Sequence, residues 1–325
     1  MINKIKNENL QPILLDNSCG LSVQIIPYGG IIKDISFHGQ SLTLGYDNPE
    51  SYLNDPYYLG ATIGRYANRI CNGKFELNNQ EIILNKDKTK HSLHGGVKGF
   101  NRVNWQLISK SSTEINLFYR SEDGEEGYPG TLEVLQTIVI EENALKISYI
   151  AESSKDTIIN LTNHTYFNLN NSRRNIENHE LQLASEHYLP IDSDALPTGE
   201  IKSVINSCFD FLAPKPLKAS ITQKDPQIVI AKGIDHCFIA PENNNEFKWL
   251  ASLFSPESGR SVKLLTTQPS VQIYTGNYLS SPFEEKQAVC LEAQNWPDAP
   301  NKKNFPSATL KAGETYRQEI HYIFD

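Results

Sequence analysis

Residues 135–149 read Leu-Gln-Thr-Ile-Val-Ile-Glu-Glu-Asn-Ala-Leu-Lys-Ile-Ser-Tyr. A β-branched run at 135–140 meets a turn at Glu142-Asn143. Beyond it Leu145, Ile147 and Tyr149 alternate with Lys146 and Ser148. Period-two alternation rich in Val, Ile, Thr and Tyr is what a half-buried pleated surface selects, and a polar Asn-containing tip between two such runs is hairpin chemistry. The pattern recurs outward along the chain. Val271 and Ile273 alternate with Gln272 and Tyr274, and Val289 and Leu291 with Cys290 and Glu292. Further runs lie at 21–26, 31–37, 115–119, 157–161, 262–266 and 316–324, with turn signals at Asn78-Asn79-Gln80 and Asn243-Asn244-Asn245. No window of twelve or more residues carries a 3.6-residue stripe, so the few helices should be short. The expected fold is all-β, a large antiparallel sandwich. With no fixed-period repeat, low-complexity tract or Pro/Gly/Ser linker, residues 1–325 read as a single domain.

Bulk properties narrow the function. A hydrophobic fraction of 39% and a charged fraction of 21% belong to a globular protein with a real core. A net charge of −8, with pI near 5.6, argues against nucleic-acid and anionic-membrane partners, which need a clustered positive field. The basic residues are scattered; Lys86, Lys88 and Lys90 come close together, as in a solvated loop. No run of about eighteen apolar residues exists to span a membrane, and the N-terminus has no apolar secretory core, which reads as cytoplasmic. The 5 cysteines, Cys19, Cys71, Cys208, Cys237 and Cys290, are odd in number and far apart, without a CxxC pair. That spacing suggests neither a disulfide framework nor a zinc knuckle.

Five segments interrupt the alternation with polar, aromatic and glycine residues: 64–70, 91–96, 161–168, 233–238 and 290–298. Together they supply the inventory of a carbohydrate pocket, planar polar groups for hydroxyls and flat apolar faces for a ring. Glu292 lies opposite Val289 and Leu291 in its strand. On pattern alone it fits a solvent-facing glutamate as well as a carboxylate walled into a pocket, where burial would raise its pKa and make it a general base. His164 fits a core histidine bonded to a carbonyl, or a proton carrier near neutral pH. His91 and His94 stand three apart without a third ligand nearby, so no metal is expected; Gly95-Gly96 suggests backbone passing close to a ligand. Arg65 and Arg69 could offer paired donors to sugar oxygens, or sit on the surface. Asp235 and Gln268 are natural hydroxyl partners. The acidic loop 123–130 signals only a surface turn.

Gly-Arg-x-Ala-Asn-Arg-Ile, Ser-Leu-His-Gly-Gly, Asp-Gly-Glu-Glu-Gly-Tyr-Pro-Gly, Leu-Thr-Asn-His-Thr-Tyr-Phe-Asn-Leu, Thr-Thr-Gln-Pro and Leu-Glu-Ala-Gln-Asn-Trp-Pro-Asp occur in that order. Six such motifs in sequence resemble the aldose 1-epimerases, or galactose mutarotases, over nearly the whole chain. The resemblance implies a β-sandwich with the sugar in an open cleft, Glu292 as general base, His164 as general acid and His94 near the ring oxygen. It assigns sugar binding to Asn68, Arg69, Asp235 and Gln268. Two positions depart from the pattern: Tyr66 where a small aliphatic residue is common, and Ser270 in place of a glycine.

The chemistry implied is anomer interconversion of free hexoses such as glucose and galactose. Opening a hemiacetal takes a proton from the C1 hydroxyl and gives one to the ring oxygen, so a base and an acid suffice and no cofactor is demanded. Ionised Glu292 and protonated His164 would be the working forms. A glycoside hydrolase using Glu292 with Asp235, a non-catalytic sugar-binding module, and a hexose-6-phosphate epimerase with a basic clamp are the rivals. For the last, the sequence offers only Arg65, Arg69 and Arg102.

Overall fold

The computed structural model describes residues 7–86, 89–241 and 246–325; Lys88 and the turn expected at Asn243-Asn244-Asn245 lie outside them. The opening hairpin forms as read. Strands Leu132–Glu141 and Ala144–Ser153 pair in antiparallel register from Leu132↔Ser153 to Glu141↔Ala144. Glu142 takes a left-handed φ of 51° at the tip, and Asn78 and Asn79 do the same between Lys74–Leu77 and Gln80–Ile83, the conformation that a two-residue hairpin turn requires.

This hairpin supplies the third and fourth strands of a nine-stranded antiparallel sheet whose central strand is the C-terminal Thr315–Phe324. Facing it is a six-stranded sheet that contains Asp235–Ile239, Ser270–Tyr274, Val289–Gln294 and Tyr166–Phe167. Val289, Leu291 and Ala293 project from the smaller sheet, and Leu145, Ile147 and Ile320 from the larger, into one apolar core. Two side chains of the larger sheet cross that core: Tyr322 donates to the Leu291 carbonyl at 3.0 Å and Gln318 to that of Ala293 at 3.1 Å. The expected antiparallel sandwich is therefore observed. Among the described residues the α-helices are Lys218–Ile221 and Pro226–Ala231, both short.

One expectation changes. The run at 157–161 is not a single strand, because Thr157–Ile158 pairs with Thr309–Leu310 and the chain then leaves that ladder. Asn160 causes the break: its amide donates to the carbonyls of Ala67 and Asn295, and its side-chain oxygen accepts from Asn295 N at 2.7 Å. A buried amide bonded three ways ties together the loops before Arg69 and after Glu292.

Candidate active site

Strand Val289–Gln294 is buried at every residue, which removes the solvent-facing alternative for Glu292. Its inner residues enter the core, so Cys290 and Glu292 share the other face. There they meet a cavity of about 170 Å³ lined by Asn68, Arg69, His94, His164, Asp235 and Glu292, with Tyr57, Tyr58, Tyr166, Tyr274 and Tyr278 as its aromatic walls. Six of the seven residues picked from the sequence thus converge.

His164 stands between strand fragments Thr162–Asn163 and Tyr166–Phe167, and the second pairs with Cys290 and Val289. This pairing brings His164 Nε2 to 3.7 Å from Glu292 Oε1, while Nδ1 faces Cys290 Sγ at 3.5 Å. His94 follows from strand pairing too. Arg69–Ile70 pairs with Ser92–Leu93, and both Asn68 (φ 66°) and His94 (φ 51°) turn left-handed beside it. His94 Nδ1 accepts from Asn68 N at 3.2 Å, so the proton of a neutral His94 lies on Nε2 and that nitrogen is a donor. The ring centroids of His94 and His164 are 5.4 Å apart, and Tyr58 packs on both at 4.6 and 5.9 Å.

Gln268 is not brought into this cavity. It lies behind the sheet in a separate hollow with Tyr316 and Asn295. A second amide, Gln272, reaches the site through a lining residue: it stands directly across the ladder from Glu292 and donates to Asp235 Oδ1 at 2.7 Å. The signal was present in the alternation, since Gln272 is out of phase with the core residues Val271 and Ile273. Gln268 sits instead just before the strand Ser270–Tyr274. Arg65 is also displaced. Its guanidinium is sealed under the acidic loop, donating to the carbonyls of Ser121, Glu122 and Pro129 and to Ser121 Oγ. That loop is therefore a structural clasp as well as a surface turn. The close approach at Gly95 is to protein, not ligand: a Cβ there would come within 1.8 Å of the Gly64 carbonyl oxygen. Tyr66 and Ser270 do not line the cavity. Tyr66 Oη donates to the Trp296 carbonyl at 2.9 Å and Ser270 Oγ to that of Gln294 at 2.7 Å.

Burial dominates the electrostatics of the site. Burial raises Glu292 well above the usual carboxylate value, Asp235 raises it further, and Arg69 opposes both. Burial lowers His164 to about 4, partly offset by a hydrogen bond to its own backbone. Burial, then His164 and Arg69, hold His94 well below the usual imidazole value. Ionised Glu292 beside cationic His164 as a resting state would need two buried charges, and burial acts against each. The directions of both shifts favour a neutral pair at rest, with the carboxyl protonated and the imidazole uncharged. Glu292 Oε2 and Gln272 Oε1 are buried without hydrogen-bond partners. Such acceptors are costly unless a ligand's hydroxyls satisfy them.

His164, Cys290 and Glu292 are also the described residues whose donor atoms could hold a metal, lying within 4.8 Å of one another. The imidazole turns opposite edges to its two neighbours, however, so the contacts diverge instead of meeting at one tetrahedral centre.

Comparison with known proteins bears on the same residues. A family model described as aldose 1-epimerase matches residues 11–323. Galactose mutarotase of Mus musculus is 39% identical over 94% of this chain and 91% of its own length. Aldose 1-epimerase of Escherichia coli K12 is 31% identical over 96% and 94%. Among solved structures, that of the aldose epimerase homologue from C. elegans superposes with a TM-score of 0.90 at 26% identity, covering 97% of this chain and 98% of its own.

Proposed function

This chain belongs to the aldose 1-epimerase family, and from that premise we propose that it interconverts the α and β anomers of free hexoses such as glucose and galactose, with Glu292 and His164 moving the protons. It is an isomerase with mutarotase function. The observation that carries the residue assignment is the pairing of His164 Nε2 with Glu292 Oε1 at 3.7 Å on the cavity wall.

A gap of that length is longer than a good hydrogen bond and narrow enough to be bridged by the C1–O5 edge of a sugar ring. The carboxyl proton of the neutral pair first passes to His164 Nε2; Glu292 then takes the proton of the C1 hydroxyl while His164 delivers its own to the ring oxygen. The hemiacetal C1–O5 bond breaks, leaving an aldehyde at C1 and a hydroxyl at C5. Rotation about C1–C2 presents the other face, and the proton transfers run backwards to close the ring. Each group is a donor in one half and an acceptor in the other, so a pair with opposed shifts and one shared proton suits both directions. Neutral His94 donates from Nε2 to a sugar oxygen, and Asn68, Arg69 and the Asp235–Gln272 pair hold hydroxyls around the ring. Each proton-transfer partner contributes about 10²–10⁴-fold.

Asp235 is bonded to Gln272 and raised by burial, which favours holding a hydroxyl over serving as a second hydrolytic carboxylate. Of Arg65, Arg69 and Arg102, only Arg69 lines the cavity, so these residues do not make a phosphate clamp. Polarimetry of freshly dissolved α-glucose, alongside a chromogenic glycoside, tests the reading. Faster decay to the same final rotation with no released aglycone is expected; release of aglycone would replace the reading with hydrolysis.

A further inference from the structure

Cys290 lies two residues before Glu292 on the same strand face, and successive same-face residues of a strand are about 6.8 Å apart. The His164 imidazole fits between them, with one nitrogen to each: Sγ at 3.5 Å from Nδ1 and the carboxylate at 3.7 Å from Nε2. Cys290 is fully buried beneath the ring and does not line the cavity. Tyr166 and Tyr274 close round the imidazole at 5.0 and 6.2 Å. The position behind a proton-carrying histidine is where a hydrolase triad places a carboxylate, which orients the ring and stabilises its cation. Here a thiol occupies it.

We propose that Cys290 is a positioning residue for this reaction: its thiol holds Nδ1 of His164, which keeps Nε2 turned to the sugar and lets the ring carry a proton in either direction. The proposal rests on the proton-shuttle reading of His164 above. When His164 is neutral and ready to take a proton at Nε2, its own proton lies on Nδ1 and needs an acceptor, which the Cys290 sulfur supplies. When Nε2 takes a proton the ring becomes cationic, and Nδ1–H keeps the same acceptors, the sulfur and the ring's own backbone contact. The sulfur is a weak acceptor in both states, so it orients the ring without fixing its charge. A carboxylate there would hold the histidine cationic and bias the reaction toward one half. An aliphatic side chain would remove an acceptor from Nδ1–H, freeing the ring to turn or to move its proton to Nε2, where it can no longer take one up. Burial and the neighbouring Glu292 push the Cys290 thiol well above its ordinary value, so it stays S–H.

The test compares Cys290→Ala, Cys290→Val and Cys290→Ser in the full chain by steady-state mutarotation and by ¹⁵N spectra of the His164 ring. Val keeps the core filled if Ala destabilises the strand. For Ala and Val the expected result is a loss of about tenfold in kcat with KM within about twofold, together with a shift of the neutral His164 tautomer from Nδ1–H toward Nε2–H. Ser, which restores a donor–acceptor, should recover kcat to within about threefold and return the tautomer. Unchanged kcat and tautomer in Ala and Val would overturn the proposal, as would failure of Ser to rescue a folded variant. If the tautomer moves as expected but the parent enzyme and all variants lack mutarotation, the positioning contact stands and the assigned activity falls.

Discussion

Replacing Glu292 with Gln should make the enzyme inactive and more stable at once. The substitution keeps the side chain's shape but removes the proton acceptor at Oε1, 3.7 Å from His164 Nε2. Losing one positioned acid–base partner lowers kcat by about 10²–10⁴-fold, or about 3–5 kcal/mol of barrier. The stability change has the opposite sign. In the folded protein Glu292 is 2% exposed, is raised by burial and by Asp235, and has an oxygen with no partner. A neutral amide escapes the charge penalty, and its NH₂ can donate to Gln272 Oε1 or Asp235. The gain is on the order of 1–3 kcal/mol, which raises Tm by a few degrees at roughly 2 °C per kcal/mol for a chain of this size. Polarimetry on α-galactose and differential scanning calorimetry read the two effects. A variant with more than a tenth of parental turnover would refute the role of the carboxylate. A variant that lost activity and stability together would show that Glu292 serves the fold.

The remaining predictions separate the site from its surroundings. Gln272→Ala should raise KM about tenfold by releasing Asp235, whereas Gln268→Ala should leave KM within about twofold; the reverse ranking would restore the sequence-based choice. Arg65→Met should lower stability by about 3–5 kcal/mol in denaturant titration, because it orphans carbonyls of the acidic loop, while KM at a permissive temperature stays put. A raised KM without destabilisation would place Arg65 at the sugar. His236 accepts from Asp235 N at Nδ1, meets Gln227 at Nε2, and is held at about 3 against 6.5 when unfolded. A folded value below the unfolded one means that the unfolded chain binds the proton first, so the stability is whole above about pH 6.5 and drains as pH falls toward 3. His236→Gln should therefore flatten the slope of unfolding free energy between pH 4 and 6.5 by about 1.4 kcal/mol per pH unit; an unchanged slope would contradict the assignment.

The sandwich was legible because both large sheets are built from strands whose alternation is clean, as in 145–149 and 271–274. Local pattern reported the wrong thing where side-chain hydrogen bonds override it. Asn160 breaks an apparently continuous strand because its amide serves two distant loops, information absent from the neighbouring residues. Glu292 and His164 were reachable by chemistry and motif. Their protonation was not, since burial on both faces of strand Val289–Gln294 depends on Tyr166, Tyr274 and Arg69 arriving from elsewhere. Gln268 and Gln272 share a phase, so alternation does not separate them; they differ in place, Gln272 lying within strand Ser270–Tyr274 and Gln268 before it. The contact of Cys290 with His164 was not legible, because a thiol's partner, here the far side of a histidine, is a tertiary fact.

The most direct measurement is magnetisation transfer between the α and β anomeric protons of glucose and galactose at equilibrium in D₂O. Proton movement between oxygens at C1 and the ring predicts faster α–β exchange in proportion to enzyme, with full retention of the C1 hydrogen and no new sugar formed. Glu292→Gln should abolish the exchange. An unaccelerated α–β exchange on both sugars, or deuterium appearing at carbon, would contradict the account.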